Sequence, residues 1–493
     1  MRYSRISRFF VCLIVTLVLI SSAAHAVTKA DIPALIDQAL ADPALKHGLQ
    51  GVLIRSLKDD AQLYERNSDL VFIPASNFKL IVSSASLDLL GPDYRMKTAL
   101  RMTGEVSSKG VLTGDLILVG GGDPVLKRSD LQEMAAKVSR LLDGIPQDAG
   151  NALGVKLVIG NVIGDDTRFD DQRLGDGWCW DDEPYYYSAQ ISGLNLDENV
   201  VGVWVRPGAK EGDPAAVEVV PATKYMIVES TCITGAAGSE KHVWVNRERG
   251  KNVIRVSGSV PLDYKPTSRE EAITMEEPTL FACASFIDLL KAEGIQVRGR
   301  AIIGKTPESA RLVAEHESPP MSEMLRLLNK PSDNLIAECL LKNLGAAIKG
   351  KGTANAGADA EIEFLTKIGG DVTAVKINDA SGLCRSDYVS PKNLVAILKY
   401  MYGHKDSKTF IDSLPIAGVD GTLRSRMKST SAQGNVRAKT GYIGRVSSLS
   451  GYVTTTAGEP LVFSIMMNGH LCPNSSATAV QNKIAEALAG LED

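Results

Sequence analysis

Histidine, aromatic residues and long apolar runs are all scarce in this chain of 493 residues. After residue 26, no stretch has the unbroken apolar length of a transmembrane helix, which argues against an integral membrane protein. The formal net charge of −4 gives no sign of nucleic-acid binding. The remaining composition, 44% hydrophobic and 23% charged, is that of a globular protein, and its length predicts two or three domains.

Several common catalytic motifs are also missing. There is no G-x-S-x-G segment and no H-E-x-x-H segment, and the histidines after residue 26 are scattered without metal-ligand spacing. A Ser-His-Asp triad remains open, although no motif marks one. The glycine-rich segment 120–124 lacks the G-K-[ST] ending of a phosphate-binding loop, so we interpret it as a turn. We therefore expect no metal and no cofactor.

The first 26 residues are typical of a secretory signal. Arg2, Arg5 and Arg8 precede an apolar run at 9–20, which is too short to span a bilayer, and an A-H-A segment ends at Ala26. We expect cleavage after Ala26, a periplasmic or secreted protein, and no stable membrane anchor after cleavage. An uncleaved anchor is the alternative.

Six cysteines follow this signal, and an oxidising compartment would permit disulfides between them. Six cysteines allow 15 pairings, and spacing cannot choose among them. Free buried thiols are the equally open alternative. The six are Cys179, Cys232, Cys283, Cys339, Cys384 and Cys472.

The pattern of apolar residues divides the chain. Helical patterns dominate 27–96 and 279–493, with strands near both ends, whereas 97–278 alternates in the manner of strands and is rich in turn residues. We expect a mixed α+β domain, formed from 27–96 and 279–493 around one central sheet, and a β-rich insert at 97–278 containing one or two nested subdomains.

Ser76 and Lys79 form an S-x-x-K motif after Pro74 and before a buried helical stretch that ends at Gly91. Residues i and i+3 share one helix face, so the amine can reach the hydroxyl. A buried lysine has a lowered pKa and can act as the base that activates a serine nucleophile. A surface helix turn is the commoner meaning of this motif alone.

Ser332 and Asn334 lie in an S-D-N motif, two residues apart on a turn between helices. Ser332 can pass a proton between Lys79 and a leaving amine, and Asn334 can hold both Lys79 and a substrate amide. A simple helix cap is the alternative, since Ser, Asp and Asn all cap helices.

A K-T-G motif at 439–441 lies on a predicted strand. Lys439 and Thr440 can donate hydrogen bonds to a carboxylate, and Lys439 is a candidate for the second cation that lowers the pKa of Lys79. The backbone N–H groups of Ser76 and Tyr442 can form an oxyanion hole. Alone, the motif is also that of an exposed lysine at a strand end.

Together, in this order, the three motifs resemble those of the D-alanyl-D-alanine carboxypeptidase/endopeptidase family of the penicillin-binding protein 4 type. Other segments extend the resemblance over nearly all of the chain after the signal: 114–116, 122–124, 178–182 followed by Tyr186, 379–383, 418–423 and 449–452. The resemblance implies a transpeptidase/β-lactamase-like domain with a central antiparallel sheet flanked by helices and interrupted by a large insert.

The resemblance also implies roles. Ser76 would be the acylated nucleophile, Lys79 the base and Ser332 the second proton-handling residue. Asn334 would orient the substrate, and Lys439 and Thr440 would bind its terminal carboxylate. Contacts with a peptidoglycan stem peptide would come from Asp181, Tyr186 and Arg385, and β-lactam antibiotics would be covalent inhibitors.

The chain departs from the family pattern at three positions. Tyr442 follows K-T-G where Thr or Ser is usual, which removes a hydroxyl expected near the carboxylate. Ala380 replaces a commoner Gly, and Cys384 replaces a commoner Ser.

A serine DD-peptidase that hydrolyses D-Ala-D-Ala bonds, and D-amino-acid cross-links by the same chemistry, is the function we expect. A β-lactamase is the first alternative, but the string E-P-T-L at 277–280, similar to the deacylating loop of class A enzymes, precedes Ser332 and so has the wrong order. A non-catalytic cell-wall-binding protein is the second alternative.

Overall fold

The computed structural model describes residues 27–141 and 154–493. The predicted signal peptide, residues 1–26, lies outside this part. Within it, no helix is long and apolar enough to cross a membrane. The helices are α1 Ile32–Leu40, α2 Lys79–Leu90, α3 Arg128–Ser139, α4 Pro278–Ala292, α5 Met321–Asn329, α6 Asn334–Ile348, α7 Ala354–Lys367, α8 Pro391–Tyr402, α9 Ser407–Ser413 and α10 Asn474–Ala489.

The strands are also numbered in chain order. They are β1 Leu49–Ser56, β2 Gln62–Arg66, β3 Lys97–Met102, β4 Glu105–Val106, β5 Val111–Thr113, β6 Leu116–Val119, β7 Leu157–Ile159, β8 Val162–Asp165, β9 Val200–Arg206, β10 Ala216–Val220, β11 Ile227–Ser230, β12 Ile233–Gly235, β13 His242–Arg247, β14 Val253–Pro261, β15 Glu271–Thr274, β16 Gln296–Val297, β17 Ala301–Ile303, β18 Arg311–Glu317, β19 Val375–Lys376, β20 Tyr388–Val389, β21 Arg437–Ile443, β22 Val446–Thr454 and β23 Pro460–Asn468.

One five-stranded antiparallel sheet joins the two ends of the chain, in the order β2-β1-β23-β22-β21. Side chains alternate between its faces, as the period of two requires. Leu461, Phe463 and Ile465 pack against α1 and α10 on one face, whereas Val462 and Met466 pack against the helices on the other. The mixed α+β class with a central antiparallel sheet is confirmed, and α2 lies buried behind it with the Ser76 turn at its start.

The insert contains two kinds of β structure. A five-stranded sheet, β17-β8-β6-β3-β18, packs against α3 and α4, with the smaller sheet β16-β7-β5-β4 beside it. Residues 200–274 are nested between β8 and α4 and form two further sheets, β10-β9-β15 and β11-β14-β12 with β13 on β14. The nested region is all β in structure.

The end of the insert differs from the boundary that we expect at residue 278. Helix α4 contributes Phe281 and Phe286 to the insert's hydrophobic core, and β18 pairs with β3 from Arg311 to Glu317. The chain therefore leaves the insert near residue 317 rather than 278. From its helical pattern we expect α4 to belong to the mixed α+β domain. In the structure its apolar face packs on the sheet of the insert instead.

The structure chooses between the two alternatives for the cysteines, disulfides and free thiols. All six cysteines of the described chain are free, and four of them, Cys232, Cys283, Cys339 and Cys384, are buried. Burial raises the pKa of the Cys384 thiol to about 11, so this group is a weak nucleophile at neutral pH.

Candidate active site

Ser76 and Lys79 lie at the junction of two helical segments. A 3₁₀ turn at Ala75–Phe78 leads directly into α2, whose first residue is Lys79. The turn begins with Ala75 at a φ of 48°, a left-handed conformation that is uncommon for residues other than glycine. This bend places the Ser76 side chain in a cleft while Lys79 remains fully buried.

The Lys79 amine makes three hydrogen bonds. Its Nζ donates to Ser76 Oγ at 2.8 Å, to Asn334 Oδ1 at 2.6 Å and to the Ser381 carbonyl at 2.7 Å. The amine is thus fixed against the hydroxyl, at the distance that proton transfer between nucleophile and base requires.

Burial lowers the pKa of Lys79 to about 8, against the opposing effect of Asp379, Glu338 and Asp333. Desolvation penalises the charged ammonium, and the three carboxyl groups favour it. A lysine with this pKa is neutral in a substantial fraction of molecules near neutral pH and can accept a proton.

The second serine faces the second lysine. Lys439 Nζ donates to Ser332 Oγ at 2.7 Å and to the Thr440 carbonyl at 3.0 Å. Burial, and then the charge of Lys79, lower the pKa of Lys439. The charge effect thus runs from Lys79 to Lys439, whereas desolvation is what lowers the pKa of Lys79 itself and Lys439 is not among its causes.

The S-D-N motif combines a helix cap with two side chains that face the cleft. Asp333 caps α6, since its Oδ1 accepts a hydrogen bond from the Ile336 N–H at 2.8 Å. Ser332, with a φ of 70°, and Asn334 point into the cleft on either side of the cap. Asn334 Nδ2 donates to the Tyr187 carbonyl at 2.7 Å, so this amide connects Lys79 to the insert.

Strand β21 approaches the Ser76 turn closely at Gly441. A Cβ at this position would lie 2.5 Å from the Pro74 carbonyl oxygen and 2.2 Å from Ser448 Oγ. Two hydrogen bonds hold the contact: Ser448 Oγ donates to the Pro74 carbonyl at 2.6 Å, and Asn77 Nδ2 donates to the Lys439 carbonyl at 3.0 Å. Gly441 is required because a side chain would push the strand away from the nucleophile.

The geometry also supports the expected oxyanion hole. The Ala438 N–H donates to the Pro415 carbonyl, away from β22. Because N–H groups alternate in direction along a strand, that of Tyr442 faces the same open edge. In the described chain the Ser76 N–H donates to no other group. Among the described residues these two N–H groups have no backbone acceptor, and the oxyanion hole that they would form stays a prediction.

The cleft has a volume of about 490 Å³. It is lined by Ser76, Cys179, Asp182, Tyr186, Tyr187, Pro331, Ser332, Asn334, Gly382, Leu383, Arg385, Thr422, Thr440, Tyr442, Ile443 and Gly444. Tyr186, Arg385 and Tyr442 are therefore part of the cleft wall, and the Tyr442 side chain is exposed. Asp181 is not part of the lining; its neighbour Asp182 takes that place and accepts a hydrogen bond from the Tyr187 hydroxyl.

A buried loop at 379–384 supports Lys79 from below. Glu338 on α6 accepts hydrogen bonds from the N–H groups of Ala380 and Ser381, which holds the Ser381 carbonyl under the amine. Asp379 accepts from Gly382 N–H and from Trp178 Nε1 of the insert. Segment 379–383 was part of the family resemblance, but its role could not be predicted from the sequence. The contact with Lys79 comes from a backbone carbonyl, which any residue type can supply.

The fold and the cleft define a serine peptidase of the penicillin-sensitive class, with a lysine in place of histidine as the partner of the nucleophile. The chain belongs to the D-Ala-D-Ala carboxypeptidase 3 (S13) family, whose model matches residues 32–492.

Individual relatives agree with this assignment. A D-alanyl-D-alanine carboxypeptidase from Actinomadura sp. (strain R39) is 39% identical over 468 residues, covering 92% of this chain and 84% of the relative. The D-alanyl-D-alanine carboxypeptidase DacB of Haemophilus influenzae is 25% identical over 426 residues, or 85% of each chain. The crystal structure of penicillin binding protein 4 (dacB) from Haemophilus influenzae has a TM-score of 0.79 at 25% identity, covering 92% of this chain and 98% of that one.

The contact at Gly441 generates a first prediction. Gly441→Ala should lower stability by about 1–3 kcal/mol, the usual cost of overpacking, and should slow acylation of Ser76 because the Ser76 turn and β21 separate. Thermal unfolding and the rate of β-lactam acylation measure the two effects. Gly403→Ala is the matched control, since its nearest neighbour would lie 3.8 Å away. Equal behaviour of the two variants would contradict this account of the contact.

The pKa of Lys79 generates a second prediction. Only the neutral amine accepts a proton, and its fraction grows as pH rises toward about 8. The acylation rate constant should therefore increase about tenfold per pH unit below that value and level off above it. Stopped-flow acylation across the range tests this, with the unfolding temperature followed in the same buffers. A profile that stays flat through neutral pH would exclude Lys79 as the base.

Proposed function

We propose that the chain is a serine DD-peptidase that cleaves D-Ala-D-Ala ends of peptidoglycan stem peptides and, by the same chemistry, D-amino-acid cross-links. The observation that carries the proposal is the 2.8 Å hydrogen bond between the buried Lys79 amine and Ser76 Oγ. The family assignment and the two D-alanyl-D-alanine carboxypeptidases among its relatives supply the substrate class.

Acylation begins with Ser76. Lys79 accepts the hydroxyl proton as Oγ attacks the carbonyl carbon of the scissile bond, and the carbonyl oxygen becomes an oxyanion held by the N–H groups of Ser76 and Tyr442. The C–N bond then breaks as Ser332, which is in contact with Lys439, delivers its hydroxyl proton to the leaving amine and takes up in exchange the proton that Lys79 received, so Lys79 is neutral again. D-Ala departs and the peptide remains as an ester on Ser76.

Deacylation reverses these roles. Water attacks the ester carbonyl, its proton passes to Lys79, and Ser76 Oγ leaves with a proton restored. Asn334 keeps the amine aligned throughout, because its Oδ1 accepts from Lys79 while its Nδ2 is held by Tyr187. Tyr186 and Arg385 on the cleft wall contact the stem peptide, and Asp181, which precedes the lining residue Asp182, is a further candidate for such a contact.

A β-lactam follows the same acylation path, since its strained amide presents a carbonyl to Ser76. One relative carries the name penicillin binding protein 4, which supports this inhibitor class. The E-P-T-L string does not support the β-lactamase alternative: Glu277 immediately precedes α4 in the insert and is not among the residues that line the cleft. Action on the cell wall implies an extracytoplasmic location, reached through cleavage after Ala26.

The nucleophile assignment has a direct test. Wild-type protein should gain the mass of one penicillin, Ser76→Ala should gain none, and Lys79→Ala should react about 10²- to 10⁴-fold more slowly, as loss of a general base requires. Intact-mass spectrometry measures all three.

Ser86→Ala is the matched control for that test, because Ser86 is a fully buried serine on the same helix. An adduct that persists in Ser76→Ala would overturn the assignment. Rapid loss of the wild-type adduct would favour a β-lactamase, whereas a long-lived adduct supports the peptidase. Incubation with muropeptide monomers and cross-linked dimers then measures the two peptidase activities.

A further inference from the structure

The carbonyl that accepts a hydrogen bond from Lys79 belongs to a peptide group whose N–H is also held. The Ser381 carbonyl accepts from Lys79 Nζ at 2.7 Å, and the N–H of the same peptide group, that of Gly382, donates to Asp379 Oδ1 at 2.6 Å. One planar peptide group therefore lies between the amine and a carboxylate. Because hydrogen bonds in a chain polarise one another, a carboxylate on the N–H makes the carbonyl oxygen a stronger acceptor for the amine.

Gly382 fixes the place of this peptide group. Its φ is 75°, in the left-handed region that favours glycine, and a Cβ there would lie 1.9 Å from the Ala75 carbonyl oxygen. Ala75 directly precedes Ser76, so the peptide group packs against the turn that carries the nucleophile. Glu338 accepts from the two preceding N–H groups, at 380–381. The two carboxylates near the loop thus hold different peptide groups.

Four hydrogen-bond donors converge on the fully buried side chain of Asp379. Besides the N–H of Gly382 at Oδ1, Oδ2 accepts from the Cys384 N–H at 2.8 Å, the Trp178 indole at 2.9 Å and Ser381 Oγ at 3.1 Å. A buried charge needs donors of this kind, because it has given up its contacts with water. The loop and the insert together therefore provide a site for one negative charge behind the peptide group.

The neighbouring carboxyl groups show where the negative charge of this cluster lies. Burial, and then the charge of Asp379, raise the pKa of Glu338 and that of Asp387. Burial, followed by the charges of Glu338 and Asp379, raises the pKa of Glu361. These three groups are thus biased toward their neutral forms, and the charge stays on Asp379. That charge is also the largest effect that opposes desolvation at Lys79.

We propose that Asp379 is the positioning residue of Lys79 and acts on it through the peptide group 381–382. The inference rests on the proposed function, since it assigns a role in the acylation of Ser76. When Lys79 accepts the hydroxyl proton, the carbonyl of this peptide group holds the new ammonium group, and the carboxylate behind it stabilises the positive charge. Asp379 thus serves the lysine as the aspartate of a Ser-His-Asp triad serves the histidine, with a backbone peptide group between them.

The pH profile of Ser76 acylation by a β-lactam tests the inference in the Asp379→Asn variant. Loss of the carboxylate should make Lys79 a weaker base, because it removes a charge that favours the ammonium form. The midpoint of the profile should therefore move to lower pH. The plateau rate constant above it should fall by about tenfold or more, as expected for a lost hydrogen bond to a charged group. A purely structural defect would lower the rate at every pH and leave the midpoint in place.

A double variant accounts for Asp387, which can take over part of the charge once Asp379 is gone, since that charge is one cause of its raised pKa. Asp379→Asn combined with Asp387→Asn should shift the midpoint at least as far as Asp379→Asn alone. If neither variant moves the midpoint, the inference is refuted. If only the double variant moves it, the total charge rather than Asp379 controls the base, which also refutes the assignment. Further titratable groups that interact with Lys79 or Asp379 are unchanged in both variants: Asp333, Glu338, Glu361, Cys384 and Lys439.

Nuclear magnetic resonance follows the peptide group directly. In protein labelled with ¹⁵N-glycine, the Gly382 N–H signal should move as Lys79 titrates, because the hydrogen bonds at the two ends of the peptide group polarise each other. Lys79→Ala should abolish this response. A Gly382 signal that stays constant across the midpoint of the wild-type acylation profile would contradict the proposed connection.

Asp165→Asn is the matched control for folding effects. Asp165 is a buried carboxylate of β8 that accepts hydrogen bonds from the N–H and hydroxyl groups of Thr167 and Thr306, and it does not line the cleft. This variant should lower the unfolding temperature, as Asp379→Asn does, but keep the wild-type midpoint. An equal midpoint shift in the control would count against the inference. Absence of a penicillin adduct on the wild-type protein would instead refute the proposed function itself.

Discussion

The site depends on the burial of one amine. Lys79 begins α2, has no exposed surface, and is held by a hydroxyl, an amide and a carbonyl from three separate segments. Burial lowers the pKa of the Lys79 amine so that it can act as a base. The three contacts hold it beside one proton, that of the Ser76 hydroxyl. Most of the local architecture follows from this: Glu338 fixes the carbonyl, Tyr187 fixes the amide, and Gly441 admits the strand that completes the cleft.

The two halves of the site differ in how they manage charge. Around Lys79, three carboxyl groups partly offset desolvation, and the pKa settles near 8. Around Lys439, no carboxyl group of the described residues is among the causes that shift its pKa, and burial together with the neighbouring Lys79 lowers that pKa. Desolvation therefore disfavours the charged form of Lys439, and a nearby anion would favour it.

Much of this was predictable from residue patterns. The three motifs, the buried helix after Ser76 and the terminal strands carry strong local signals, and each appears at its expected place. The end of the insert was not predictable, because the apolar face of α4 is equally suited to either domain. Only the packing of this helix against the insert's sheet shows to which domain it belongs. The place of Asp182 in the cleft lining was not predictable, since sequence proximity does not say which of the adjacent carboxylates of Asp181 and Asp182 faces the cleft.

The central sheet has a consequence for how the protein matures. Strand β1 lies between β2 and β23, so a strand near the start of the chain must wait for residues 460–468 before its second edge is covered. Strand β21, which lies against the Ser76 turn, is likewise synthesised long after Ser76. Pairing between distant parts of the chain makes folding slow, because the entropy of a long loop is lost before the stabilising contacts form. During synthesis Ser76 is therefore present before strand β21. We expect hydrolytic activity only after the strands at the end of the chain have been made.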